Sequence, residues 1–262
     1  MNSKLILIKA GGSILQDETL ISSLCMDIKA IASAGHRVIV VHGGGKAINE
    51  ALAVYGIKSE FIEGLRVTSS EAIKVIEMVL CGQVNQLLVR KLNQTGLSTI
   101  SLSGAQNQML FCDLYSQQHG YVGEVKSVNT TFLKNLSEGA IPVIATLGID
   151  KEGHALNINA DMAACHIANA LDVDQLIYLT DQDGIYNKQG QLFAQLSKAH
   201  LQLLINQAVV SGGMLVKVKA IIASLKAGLD RILVLNGQQK RVLIDTVLYQ
   251  KQLGTLCECT PS

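Results

Sequence analysis

Proline occurs only twice in this 262-residue chain, and no Gly/Ser-rich stretch interrupts it. No linker is visible, so the sequence reads as one fold rather than a string of modules. An excess of charge of either sign is also missing: 22 Lys and Arg against 21 Asp and Glu leave a net charge of +1. That excludes a basic field able to gather nucleic acid or an anionic membrane, and any anionic ligand has to be small and held by local geometry. The six cysteines, at 25, 81, 112, 165, 257 and 259, form no C-x-x-C pair, which suits reduced thiols in a cytosol. Cys257-Glu258-Cys259 has the wrong spacing for zinc and reads as a frayed tail. Lys9 cuts the N-terminal apolar stretch too early for a signal sequence, and no apolar run of about 18 residues follows. The expectation is a soluble cytoplasmic protein. With 48% hydrophobic and 16% charged residues, the composition is that of an ordinary globular chain and argues against disorder.

What is present is an alternation of short β-rich runs with helical spacing, the rhythm of βαβ units and a mostly parallel sheet. Leu5 to Lys9 is the first strand, a helix spans about Leu20 to Ser33, and Arg37 to Val41 is a buried strand leading into His42-Gly43-Gly44-Gly45. A helix from about Lys46 runs toward Val54, and a longer one covers Ser70 to Leu92 with Thr68 or Ser69 as its N-cap. Thr99 to Val128 alternates in period two between polar breaks, which predicts antiparallel hairpins inserted in the α/β order and able to act as a lid. Ile141 to Ala145 is a strand whose Pro142 belongs near its start or at an edge. A helix over Met162 to Leu171 and a strand over Gln175 to Thr180 follow, and two lobes meet near residue 170.

Several short stretches can carry chemistry. Successive glycines after Val41 let backbone N–H groups converge on an anion at a helix N-terminus, although a bare tight turn has the same composition. Neither a Walker loop nor a dinucleotide fingerprint fits, because Val40, Ala47 and Ile48 occupy decisive positions. Gly11-Gly12 follows the first strand in the same way, with Lys9 at the rim; Lys9 either emerges into water or reaches for an anion. Arg66, in a loop before a helix, can pair bidentately with a carboxylate or be solvated. In Asn157-Ile158-Asn159-Ala160-Asp161, Asn159 or Asp161 can serve as an N-cap. Gly212-Gly213-Met214-Leu215-Val216-Lys217 is a further glycine-led helix start, with Lys217 about one turn in.

Taken together, KAGGSIL, VVHGGG, GLRVT, NINAD, LTDQDGIY and GGMLVKVKA resemble the amino-acid kinase family in order and spacing, over nearly the whole chain. GLRVT combined with NINAD points to the branch acting on N-acetylglutamate. The resemblance implies a three-layer αβα sandwich around a mostly parallel open sheet, with residues 1–170 as acyl-substrate and dimerisation lobe and 171–262 as nucleotide-binding lobe. It implies ATP-dependent phosphorylation of the γ-carboxylate of N-acetyl-L-glutamate, the second step of arginine and ornithine biosynthesis. Lys9 and Lys217 would offset the charge of the moving phosphoryl group, and Asp161 would hold both lysines. Gly11, Gly12, Gly44 and Gly45 would offer backbone amides, Arg66 would bind the α-carboxylate, and Asn157 and Asn159 would face the acyl amino acid. Thr180, Asp181, Gly184, Ile185 and Tyr186, with Val209, Val210 and Ser211, would form the nucleotide bed. Mg²⁺ would enter on the phosphates of ATP, with no protein ligand. No His or Cys nucleophile pattern is present, and His42 is expected to pack or orient its loop. With eight residues before Lys9, the expectation is a homodimer without arginine feedback.

Overall fold

The computed structural model describes residues 3–259. β1 (Leu5–Ala10) is buried along its whole length, as a central strand between two helix layers has to be. α1 (Glu18–Ser33) starts at Asp17, whose carboxylate accepts from the Thr19 and Leu20 amides. β2 (Arg37–His42) lies parallel to β1 and leads through the glycine loop into α2 (Gly45–Val54). A ribbon of β3 (Phe61–Ile62) and β4 (Leu65–Arg66) precedes α3 (Ser70–Glu77), which continues through a π turn over Met78–Val84 into α4 (Asn85–Gln94). β5 (Thr99–Ser103) is followed by the antiparallel pair β6 (Leu110–Leu114) and β7 (Gly123–Val128), and then by α5 (Thr130–Gly139). β8 (Ile141–Ala145) leads into a hairpin of β9 (Leu147–Ile149) and β10 (Ala155–Asn157). The remainder runs α6 (Ala160–Leu171), β11 (Gln175–Thr180), β12 (Gln195–Ser197) and α7 (Lys198–Asn206). It ends with α8 (Gly212–Lys226), β13 (Ile232–Asn236), α9 (Val242–Val247) and β14 (Thr255–Glu258).

Eight strands make one sheet in the order β12-β14-β13-β11-β1-β2-β8-β5. All neighbours are parallel except β13 and β14. Alternation along β1 divides the core. Leu5 and Leu7 pack with α5, α6, α7 and α8, whereas Ile6 and Ile8 pack with α1 to α4 and α9. This is the αβα sandwich expected from the sequence. Truncating a fully buried residue such as Ile8 to alanine would cost about 2–5 kcal/mol. Pro142 sits near the start of β8, and pairing with β2 begins one residue later at Val143, so its missing N–H interrupts no bond to that neighbour.

Three expectations need correction, and a fourth, the long helix after Ser69, is borne out. Thr99 to Ser103 is not part of an insert; it is the edge strand β5 of the main sheet, and the antiparallel insert is β6 and β7, extended by β9 and β10 into a second sheet. Cys257 is no frayed tail, since Thr255–Glu258 is a sheet strand and the thiol is fully buried. Arg66 lies in a strand rather than a loop. The helix expected from Ser70 to Leu92 is one rod to Gln94 that, by length and composition, is apolar enough to cross a membrane, but half of that stretch is buried inside the fold. Ile76, Leu80, Leu88 and Leu92 supply its core face.

Candidate active site

The C-terminal ends of β1, β2 and β11 open onto one crevice, and the N-termini of α2, α6 and α8 converge there. Neither Gly44 before α2 nor Ser211 before α8 caps its helix with a side chain, which leaves first-turn amides free for an anion. Asn159 does cap α6, its side-chain oxygen accepting from the Asp161 and Met162 amides. Between the two open readings, Asn159 is therefore the cap and Asp161 is left for other work.

Lys9, the penultimate residue of β1, places its ammonium 2.8 Å from Asp161 Oδ1. Lys217, from the opposite helix, donates to both carboxylate oxygens of Asp161 at 3.0 Å. The three residues are 8%, 5% and 7% exposed respectively, so Lys9 does not emerge into water. Burial would raise the Asp161 carboxyl, but the Lys217 and Lys9 ammoniums outweigh it and hold the group at about 2. Lys217 moves the other way. Burial lowers it to about 8 and Asp161 offsets only part of this, because one carboxylate cannot neutralise two cations. The trio carries a surplus positive charge on buried side chains at a cavity wall, which an incoming phosphate would compensate.

Two cavities meet at Lys9 and share Lys9, Gly12 and Gly45 in their walls. The two glycine loops nearly touch: a Cβ on Gly12 would lie 3.3 Å from the Gly45 amide nitrogen. The first cavity, about 240 Å³, is walled by Gly44, Arg66, Asn157 and Asn159, together with Phe61 and Thr146. Arg66 is buried, and among the described residues it pairs with no carboxylate. Its guanidinium donates to Ser59 Oγ and, at 2.7 Å, to Asn49 Oδ1, while Phe61 stacks 4.7 Å from it. A buried cation held only by neutral groups is a receptor for an anion. Asn157 donates to Thr68 Oγ1 at 3.3 Å on the same wall.

The second cavity, about 660 Å³, is walled by Gly11, Thr180, Asp181, Gly213 and Met214 with Lys217 at its base. Its volume is within the range of small-ligand sites. The donors here are amides and ammoniums, a set that suits phosphate oxygens. Of its two carboxylates, Asp161 already holds both lysines, and Asp181 accepts from Thr180 Oγ1.

Not every predicted residue reaches these walls. Gly184 packs against Thr255, Ile185 is fully buried with its amide bonded to Thr255 Oγ1, and Tyr186 donates to Asp183 Oδ2. Val210 is in the core, and neither Val209 nor Ser211 lines the cavity. Thr180 and Asp181 do, as do Gly213 and Met214, which lay inside a glycine-led motif without standing out. Sequence reasoning also missed Asn49 and Ser59, which hold Arg66 from a helix and a loop with no motif of their own.

His42 orients the glycine loop, as expected. Its Nδ1 donates to the Gly43 carbonyl at 3.0 Å and its Nε2 accepts from Asn85 Nδ2 at 2.9 Å. Burial lowers this imidazole to about 4, so it stays neutral. Asn85, at the end of the π turn, also reaches the Val143 carbonyl at 2.8 Å.

The sequence profile of the amino acid kinase family matches residues 4–236. The chain belongs to the amino acid kinase family. Within that family it is similar to the acetylglutamate kinase of Campylobacter curvus, 39% identical over 256 residues, covering 97% of this chain and 91% of the relative. It is also similar to the acetylglutamate kinase of Geobacter sp. strain M21, 38% identical over 267 residues with the same coverage. Among solved structures of this architecture, the Streptococcus mutans UA159 protein smu.665 matches with a TM-score of 0.84 at 30% identity, over 98% of this chain and 99% of that one. The fold extends to the N-acetylglutamate synthase of Neisseria gonorrhoeae, solved with coenzyme A and N-acetyl-glutamate, with a TM-score of 0.88 at 22% identity, over 100% of this chain and 61% of that chain. Membership of the amino acid kinase family makes the junction of the two cavities the place to seek phosphoryl transfer.

Proposed function

We infer that this protein is an acetylglutamate kinase that moves the γ-phosphoryl group of ATP to the γ-carboxylate of N-acetyl-L-glutamate, a step of arginine biosynthesis. One observation carries the reading: two buried ammoniums share a single carboxylate where a cavity with a buried, acid-free arginine meets a cavity rich in amides. In this assignment Arg66 holds the α-carboxylate of the acceptor, and Asn157 and Asn159 face its amide end. The γ-carboxylate then points at Lys9. A γ-carboxylate oxygen forms a bond to the γ-phosphorus as the bond from that phosphorus to the β,γ-bridging oxygen breaks, and ADP leaves with the electron pair.

The acceptor is already ionised near neutral pH, with an ordinary pKa of about 4.3, so no general base is required. The charge that spreads over the equatorial oxygens meets Lys9, Lys217 and the amides of Gly11, Gly12, Gly44 and Gly45, in a site arranged before substrate arrives. Asp161 orients both lysines. Mg²⁺ on the nucleotide phosphates would supply further charge neutralisation.

We further propose that residues 1–170 form the acceptor and dimerisation lobe, that 171–262 form the nucleotide lobe, and that the enzyme is a cytoplasmic homodimer. Free thiols at all six cysteines support the compartment, and the exposed Val54, Tyr55 and Met78 support the dimer. An assay of ADP release over a panel of acceptors tests the function. Turnover that depends on N-acetyl-L-glutamate supports it, and a preference for free glutamate or turnover with no acceptor in the panel contradicts it.

A further inference from the structure

Beneath the lysine pair lies one aromatic residue that the phosphoryl-transfer scheme does not use. Tyr178 is fully buried on β11, directly across the parallel pairing from Lys9 and on the same face of the sheet. Its hydroxyl donates to the backbone carbonyl of Asp161 at 3.1 Å, and its ring face lies 4.9 Å from the Lys217 ammonium. The rest of that strand, Gln175-Leu-Ile-Tyr-Leu-Thr180, is otherwise aliphatic through its middle, and a leucine would fill the core without touching either group with polar or π character.

We propose that Tyr178 is a positioning residue for phosphoryl transfer: its ring keeps the buried Lys217 ammonium charged and in place, and its hydroxyl ties the first turn of α6, with Asp161, to the sheet. The inference rests on the kinase reading above. A cation desolvated in this way gains from the negative face of a ring, and the gain is largest where water is absent. Lys217 needs that help because burial works against its charge and Asp161 is shared with Lys9. The other titratable groups facing the ammonium are Asp161 on α6, Lys9 on β1 and Asp181 just beyond β11. α7, also packed on α8, carries Lys198 and the exposed His200. The two handles of Tyr178 separate by mutation. Phenylalanine keeps the ring and loses the bond to the Asp161 carbonyl, while leucine loses both.

The test compares the wild type with Tyr178→Phe and Tyr178→Leu by two readouts. One is the alkaline limb of kcat/KM against pH with ATP and N-acetyl-L-glutamate. The other is the titration of the Lys217 side chain by ¹³C NMR of lysine-labelled protein, assigned with Lys217→Met, which needs no turnover. In the leucine variant both midpoints should fall by about half a unit or more, the size of a desolvated cation–π contact. The phenylalanine variant should keep the wild-type midpoints and lose kcat only several-fold. Equal midpoints in the wild type and the leucine variant, or equal shifts in both variants, would overturn the proposal. Should the leucine variant not fold, Tyr178→Met replaces it under the same criteria. If the wild type lacks acetylglutamate kinase activity, the functional reading fails while the NMR titration still decides the role of Tyr178.

Discussion

One carboxylate asked to hold two ammoniums sets the behaviour of the site at the scale of single residues. Lys217 loses its proton as pH rises through about 8, so kcat/KM should decline above that pH as the charge facing the phosphoryl group disappears. A pH profile that stays flat to pH 9.5 would contradict this. Lys217→Ala should lower kcat by a hundredfold or more, the cost typical of removing one preorganised electrostatic contact. Arg66→Ala should chiefly raise the KM for the acyl amino acid, because Arg66 lines the first cavity and does not touch the lysine pair. Steady-state kinetics separates the two cases. Lys9 was legible as a charge interrupting an apolar strand, and Asp161 and Lys217 through their motifs. Tyr178 was not, since an aromatic in an aliphatic run reads as core. Nor were Asn49 and Ser59, whose contacts with Arg66 span 17 and 7 positions and leave no local pattern.

Among the elements, the small β3–β4 ribbon brings Arg66 to the cavity, and its turn rests on the start of α8. Gly64 has φ +82°, and a Cβ there would lie 2.8 Å from Val216 Cγ2 and 3.2 Å from the Gly212 carbonyl oxygen. Gly64→Ala should therefore strain the turn, push the ribbon off α8 and raise the KM for the acceptor, with far less effect on the KM for ATP. A second coupling joins α1 to α9. Asp27, buried on α1, accepts from the Leu243 amide at 3.1 Å. Burial raises its carboxyl to about 6 despite the Leu243 and Ile244 amide bonds. The native state thus holds a proton here that the unfolded chain has released, and this contribution is full below about pH 4 and lost as pH rises through about 6. Asp27→Asn, which stays neutral, should raise the Tm at pH 7.5 and leave it nearly unchanged at pH 4, as measured by circular dichroism melts. Helix and strand limits came within a few residues in sequence because caps and periodicity are local, as at Ser69. The roles of Thr99–Ser103 and Thr255–Glu258 were hidden because their partners, β8 and β13, are fixed by tertiary pairing.

For the whole molecule, the sheet places β1 and β11 side by side, with the strands up to residue 145 on one side of that junction and those from residue 175 on the other. Lys9 and Lys217 come from opposite sides of it and meet on Asp161. The α/β class was readable from the alternation of periods. The strand order was not, because it depends on crossovers that no local pattern records. Light scattering on the purified chain should return twice the 28.1 kDa chain mass, and a single-chain mass would contradict the dimer. The central claim is that the shared lysine pair delivers phosphate to a carboxylate. It is tested most directly by incubating the protein with Mg-ATP, N-acetyl-L-glutamate and hydroxylamine and identifying the trapped product by mass spectrometry. An acyl phosphate at the γ position predicts the γ-hydroxamate of N-acetylglutamate, formed only with ATP and lost in Lys217→Ala. ADP release without any hydroxamate, or hydroxamate from free glutamate alone, would contradict it.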